Sequence, residues 1–373
     1  FTTSSIEVWD VTDPAAAVEI TGGPTASVGG GGFQVTFDET LTGERDYLVI
    51  ESGVRRAAAG FKVDIASDLM NTGNGADWIA IAPAGLQAAL TPLVNARATQ
   101  GLRTLVVDPE DIFDEFNDGV LSPVAVRDFL AFATASYVGP APQFVLFGGD
   151  ASQDHFGYVA GGGPNHVPAF IESLVGKFGP RLTGTDHSHT TVVGGDFLGD
   201  IAYGRLPAQD ASSLTDMVNK ILAYESSAPV ATLNRGVLLV ADLFDAAGPA
   251  DYPGYSDSRC TELGAVSTLP CIKVYRQNFL TTAGMRGTIT SEINTGTLLL
   301  NYHGSSNARQ WGFDIFNDKP EIAGLLNGAA QPFVVSHGTQ NALYAAPDGP
   351  FQDPNGPQDP ENDAAMMEAY VRL

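Results

Sequence analysis

From Asp77 onward, apolar runs of strand length alternate with helix-length segments, and no other feature of the chain restricts its fold as strongly. The strand-like runs fall at residues 78–82, 103–107, 143–147, 236–241, 271–275, 297–302 and 332–336. Helical segments fall at 86–99, 122–136, 212–226, 287–294 and 321–326. Continuous aliphatic runs suit strands buried on both faces, and a helix used as the crossover makes neighbouring strands parallel. The expected class is therefore α/β, a mostly parallel sheet system with flanking helices in two subdomains. Ser122-Pro123 supplies an N-cap followed by Pro at the first helical position, which fixes the start of the helix at 122–136.

The first 70 residues have a different texture. Ile6-Glu7-Val8-Trp9-Asp10-Val11 and Phe33-Gln34-Val35-Thr36-Phe37 alternate apolar with polar, and Tyr47-Leu48-Val49-Ile50 is a third apolar run. The chain thus divides into a small β-rich segment over 1–70, a first subdomain over 71–228 and a second over 229–373. Hydrophobic residues make up 44% and charged residues 17%, enough apolar material for a core of this size. Forty-three acidic residues against nineteen Lys and Arg give a net charge of -24, which repels phosphate; neither nucleic acid nor an anionic membrane surface is an expected partner. No apolar stretch approaches the ~18 residues that a membrane-spanning helix needs. The sequence opens on Phe1-Thr2-Thr3 without Met or leader, which suggests a processed or trimmed start. The two cysteines, Cys260 and Cys271, lie close in sequence with no His or second Cys pair beside them. A short-loop disulfide is the preferred reading, and two unpaired buried thiols are the alternative.

In open α/β sheets ligands gather beyond the carboxyl ends of the strands. Four such ends carry chemistry here: Gly148-Gly149-Asp150, Asp242-Leu243-Phe244-Asp245, Asn301-Tyr302-His303-Gly304-Ser305-Ser306, and Ser336-His337-Gly338-Thr339-Gln340-Asn341. The last two set a His beside hydroxyl residues on a Gly-containing turn, a place for a nucleophile and its base or for a hydrogen-bonded loop histidine.

These residues resemble the gingipain family of caspase-fold cysteine peptidases. The resemblance rests on Asp108-Pro109-Glu110-Asp111-Ile112-Phe113, Ser122-Pro123-Val124-Ala125-Val126-Arg127-Asp128-Phe129-Leu130, Phe147-Gly148-Gly149-Asp150-Ala151-Ser152 and Asp200-Ile201-Ala202-Tyr203-Gly204-Arg205-Leu206-Pro207. It continues through Leu239-Val240-Ala241-Asp242 and Asn301-Tyr302 with Trp311, and it runs from about residue 77 to the end. It implies a caspase-like fold and an extracellular or cell-surface location. The family pattern continues with a further strand after a helix that here covers 364–371, so the second subdomain is expected to be truncated, its edge completed by the rest of a larger chain or by a partner.

The chain departs from the family where the chemistry lies. The family's catalytic His sits in Asn-Tyr-x-Gly-His-Gly, which places Ser305 at that position and His303 two residues early. The nucleophilic Cys of a Cys-x-Asn-Gly context is matched by Thr339. A thiolate mechanism needs an ionisable sulfur beside an imidazole, so the expectation is a pseudo-peptidase acting as a binding or assembly module for a protein or peptide ligand. The alternatives are an active extracellular endopeptidase with a rearranged site, in which His337 activates Ser305 or Thr339, and a structural piece of a larger surface or filament protein. Asp150, Asp186 and Trp311 are the candidates for the substrate pocket. Asp186-His187-Ser188-His189 reads as a solvated loop rather than a transition-metal site. No cofactor is certain. Calcium, which the resemblance also implies, suits hard oxygen donors on the loops at 150–154, 242–257 and 348–363, with Asp242, Asp245, Asp348 and Asp353 as candidate ligands against the alternative of a solvated acidic surface.

Overall fold

Short strands, with Thr25–Gly29 exposed throughout and Val8 buried, build the amino-terminal unit, Phe1–Ile65. In it, β1 (Ile6–Asp10) pairs antiparallel with β2 (Val18–Ile20) on one side. The hairpin β3 (Thr25–Gly29) to β4 (Gly32–Val35) stands as a separate sheet, and β5 (Tyr47–Glu51) closes the other side of β1. The computed structural model describes residues 1–40, 43–54, 65–158, 163–176, 179–226, 235–243, 250–307, 309–312, 314–317, 321–338 and 344–345.

The second unit, Ala66–Leu373, holds two four-stranded sheets whose strand pairs are all parallel. The first begins with β6 (Trp78–Ile81), buried at every position as a central strand must be, and passes through α1 (Ala84–Thr99) to β7 (Thr104–Val107). Helices α2 (Pro109–Asn117) and α3 (Pro123–Ser136) return the chain to β8 (Phe144–Gly148). An antiparallel hairpin of β9 (Phe170–Gly176) and β10 (Gly179–Thr185) precedes β11 (Ala202–Leu206), which gives the spatial order β11-β8-β6-β7. Helices α2 and α3 bury Ile112, Phe113, Phe129 and Leu130 against one face. Helix α1 and α4 (Ala211–Ser226) bury Leu86, Leu90, Leu214 and Met217 against the other.

The second sheet runs β12 (Val237–Ala241), α5 (Tyr252–Val266), β13 (Cys271–Tyr275), α6 (Thr282–Thr295) and β14 (Leu299–His303). The short hairpin β15 (Gln310–Trp311) to β16 (Phe316–Asn317) follows, and then β17 (Phe333–His337), in the order β13-β12-β14-β17. Helix α6 packs Met285, Ile289 and Ile293 on one face with Tyr302, Trp311 and Phe316, while α5 lies on the face that carries Val237, Leu239 and Tyr275. Cys260 of α5 and Cys271 of β13 are joined as a disulfide, Cα atoms 6.0 Å apart, so the helix is tied covalently to the sheet edge.

Capping fixes the helix starts. Ser122 accepts from Val124 N–H with Pro123 behind it, and Asp108 accepts from Glu110 N–H in the same way at α2. Helix α2 lies outside the expected helical segments although Ile112, Phe113 and Phe116 form its apolar face, and its acidic first turn suits the amino-terminal dipole. One element escapes apolar periodicity. In α5 the Pro, Gly and Ser content masks a helix held by the sheet beneath it and capped by Asp251. Residues 252–257, grouped by sequence with an acidic loop, are therefore the first turns of α5. The helix expected at 321–326 is a short turn instead.

Candidate site at the carboxyl ends of the second sheet

Parallel pairing of β14 with β17 sets His303 directly opposite His337 at the last position of each strand. Their imidazoles stack, ring centres 4.6 Å apart and planes 11° from parallel. Alternation along β14 sends Leu300 and Tyr302 into the core under α6 and turns His303 towards α5. There the fully buried Ser256 lies with Oγ 3.0 Å from His303 Nδ1, and the Tyr255 ring meets the imidazole edge-on. Burial, with repulsion from the neighbouring His337 and Arg259 adding to it, pushes His303 down to about 4, so the ring is neutral at physiological pH.

The turn after β14 is rigid. Tyr302 Oη donates to the Ser305 carbonyl, Gly312 N–H donates to the same oxygen at 2.7 Å, and Gly304 N–H reaches the His337 carbonyl at 3.3 Å. A Cβ on Gly304 would stand 2.2 Å from Tyr302 Oη and 2.6 Å from Asp242 Cβ, so only glycine fits there. Gly312 turns at φ +55, a left-handed conformation, with Ile315 packed against its missing side chain. Trp311 stacks on Tyr302 at 4.4 Å and is fully buried; it belongs to the core and presents no face to a ligand.

Asp242 ends β12 beside this turn and accepts from Leu243 N–H at 2.7 Å and from Ser305 N–H. Burial raises its carboxyl above the usual range and outweighs those two donors. Asp242 thus pins the Ser305 turn through hydrogen bonds. Ser305 itself is exposed, and among the described residues no hydrogen bond joins its Oγ to an imidazole. Thr339, Asp245, Asp348 and Asp353 lie outside the described residues. Among the described residues no cluster of three or more His, Cys, Asp or Glu is arranged to hold a metal ion.

The remaining acidic candidates belong to the first sheet. Arg205, on β11, holds Asp186 in a two-pronged ion pair, Nε to Oδ2 and Nη2 to Oδ1 both 2.8 Å, with each side chain only 5% exposed. Arg205 also donates to the Gly149 carbonyl at 2.7 Å and lies over the Phe147 and Tyr344 rings. Burial alone would raise Asp186; the charge and hydrogen bonds of Arg205 overcome it and leave the carboxyl below its ordinary value. Burial lowers His189, 3.9 Å from Asp186, to about 4. Asp150 is buried as well, with Oδ1 on the Ala151 amide. Asp186 therefore meets a cation of its own chain rather than a pocket opening. Arg205, Tyr344 and Ser256 are the members of these clusters that sequence reasoning missed. Arg205 stands in the quoted Gly204-Arg205-Leu206-Pro207 motif, but no local pattern links Ser256 to a histidine 47 residues away.

Two helix-flanked parallel sheets, with the polar turns gathered at the carboxyl ends of β12, β14 and β17, define a caspase-like peptidase-type domain. The chain belongs to peptidase family C25, whose family model matches residues 71–360. Its fold is similar to the Arg-specific cysteine proteinase gingipain R (RgpB), with a TM-score of 0.57 and 20% identity over 81% of this chain and 60% of that one. It is likewise similar to the complex of Porphyromonas gingivalis RgpB pro- and mature domains, with a TM-score of 0.57 and 19% identity over 79% of this chain and 60% of that one. A structure described as a protease matches with a TM-score of 0.53 and 20% identity, over 82% of this chain and 58% of that one. The chain thus spans about 60% of the length of these structures. Comparison with curated proteins gives no match. No helix of the described residues is long and apolar enough to cross a membrane.

Proposed function

We propose that this C25 domain is non-catalytic and acts outside the cell as a binding or assembly module for a protein or peptide ligand. One observation carries the reading. The sequence holds two cysteines, and both are consumed in the disulfide between α5 and β13, so no thiol is left to become a nucleophile. The turn that carries the catalytic imidazole in the family's motif presents the hydroxyl of Ser305, while His303 is turned towards α5 and held there by Ser256. A structural disulfide suits an oxidising compartment, and the acidic surface suits solubility there.

The test is a panel of peptides with basic, acidic and apolar residues at the cleavage position, read by mass spectrometry for turnover and by fluorescence anisotropy for binding. The expected result is saturable binding without cleavage. Turnover that disappears in Ser305→Ala, Thr339→Ala or His337→Ala would overturn the reading and establish a rebuilt hydroxyl nucleophile.

A further inference from the structure

Four of the six histidines are spent on the backbone. Nε2 of His155, His166, His187 and His189 lies 3.1, 2.9, 2.7 and 3.0 Å from the carbonyls of Ala169, Gln209, Phe197 and Pro168, so each carries its proton there and serves as a loop strut. His303 and His337 differ. Each ends a strand, they face one another in register, and among the described residues neither Nε2 meets a protein acceptor.

The geometry points to a two-imidazole site for a divalent transition-metal ion of the Zn2+, Ni2+ or Cu2+ class, bound by Nε2 of His303 and Nε2 of His337. The hydrogen bond between His303 Nδ1 and the buried Ser256 hydroxyl is the arrangement that orients a metal-ligating imidazole: with the proton on Nδ1 and donated to Oγ, the Nε2 lone pair is left for the ion. Imidazole donors select borderline ions over calcium. Two such ligands on one ion at about 2.0–2.1 Å place their nitrogens roughly 3.3 Å apart in tetrahedral geometry. The stacked rings reach this by rotating about χ2. His337 is exposed and can turn, while Ser256 fixes His303.

Surrounding charge does not oppose an ion. Arg259, the cation beside His303, is paired with Glu262 at 2.9 Å, and both side chains are more than half exposed, so solvent screens it. The net charge of -24 raises the local concentration of cations. Two residues back along β14 on the same face, the buried Asn301 keeps its Oδ1 without a partner among the described residues, a further unspent oxygen on that face. Water fills the remaining coordination positions. The site stands independently of whether the domain cleaves peptides.

The test uses the full chain, stripped with a chelator and titrated with Zn2+ alone at pH 7.5 by calorimetry, with Cu2+ electron paramagnetic resonance to count nitrogen ligands. One ion per chain is expected, with two imidazole nitrogens on copper and no competition from millimolar Ca2+. His337→Ala, at an exposed position, should lower the affinity at least tenfold. Ser256→Ala should lower it by roughly 10- to 100-fold while leaving the circular dichroism unchanged. His187→Gln should leave it unchanged. Absence of saturable binding in the parent chain, or undiminished binding in His337→Ala, would overturn the proposal.

Discussion

Replacing Asp186 by Ala should destabilise the domain by about 3–5 kcal/mol, because it strands a guanidinium inside the protein. The magnitude follows from the surroundings of Arg205. Its side chain is 5% exposed, two of its nitrogens sit 2.8 Å from the Asp186 oxygens, and among the described residues its other hydrogen-bond acceptor is the Gly149 carbonyl at 2.7 Å. Take away the carboxylate and the charge can neither reach solvent nor shed its proton. Thermal unfolding should shift down by roughly 5–15 °C, and denaturant unfolding should move its midpoint with little change in slope. The paired replacement Asp186→Leu with Arg205→Met removes both charges and should recover at least about 2 kcal/mol relative to the sum of the single changes. A cost for Asp186→Ala below about 1 kcal/mol, or strict additivity of the two changes, would refute the account of a closed ion pair. Loss of peptide binding with unaltered stability would instead support Asp186 as a pocket carboxylate.

Acid should weaken the fold in two successive windows. His189 and His303 both stand near 4 in the folded chain, against about 6.5 when unfolded, so their stabilising neutrality is present above pH 6.5 and lost as pH falls towards 4. The fully buried His189 contributes on the order of 3 kcal/mol of that loss. Below about pH 4 protonation of Asp186, held below its ordinary value, continues the trend. Urea titrations at pH 7.5, 6 and 5 should show falling stability, and a flat profile from 7.5 to 5 would contradict the burial argument. At the turn after β14, Gly304→Ala forces a methyl group into Tyr302 and Asp242 and should cost roughly 1–3 kcal/mol. Gly287→Ala, at an exposed position of α6 with nothing within 4 Å, should gain up to about 1 kcal/mol. Equal effects of the two, read by urea unfolding, would show that the Gly304 contact is not tight.

Much of the framework is local physics and was therefore legible in the sequence. Buried aliphatic runs such as Trp78–Ile81 and Val237–Ala241 mark central parallel strands, and Ser122-Pro123 announces a helix start whatever the remainder of the chain does. Helix α5 was not legible, because a Pro-Gly-Ser run carries no clear apolar stripe and only the sheet beneath rewards the helical conformation; α2 did carry its signals, Asp108-Pro109 at the start and Ile112, Phe113 and Phe116 on one face.

The candidate site divides along the same line. The sequence by itself placed His303, Ser305, His337 and Asp242 at strand ends and set both cysteines, Cys260 and Cys271, ahead of the His303 turn, since identity and offset along the chain are one-dimensional facts. It could not decide what those groups meet. That Asp186 is closed by Arg205, that Asp242 holds the Ser305 turn, and that Ser256 orients His303 against His337 are outcomes of β11 lying beside β8 and β14 beside β17, with α5 laid across one face. Hydrogen bonds and ion pairs reach only about 3 Å, so partners separated by 19 to 63 residues are chosen by strand register and helix packing, which the tertiary structure alone fixes.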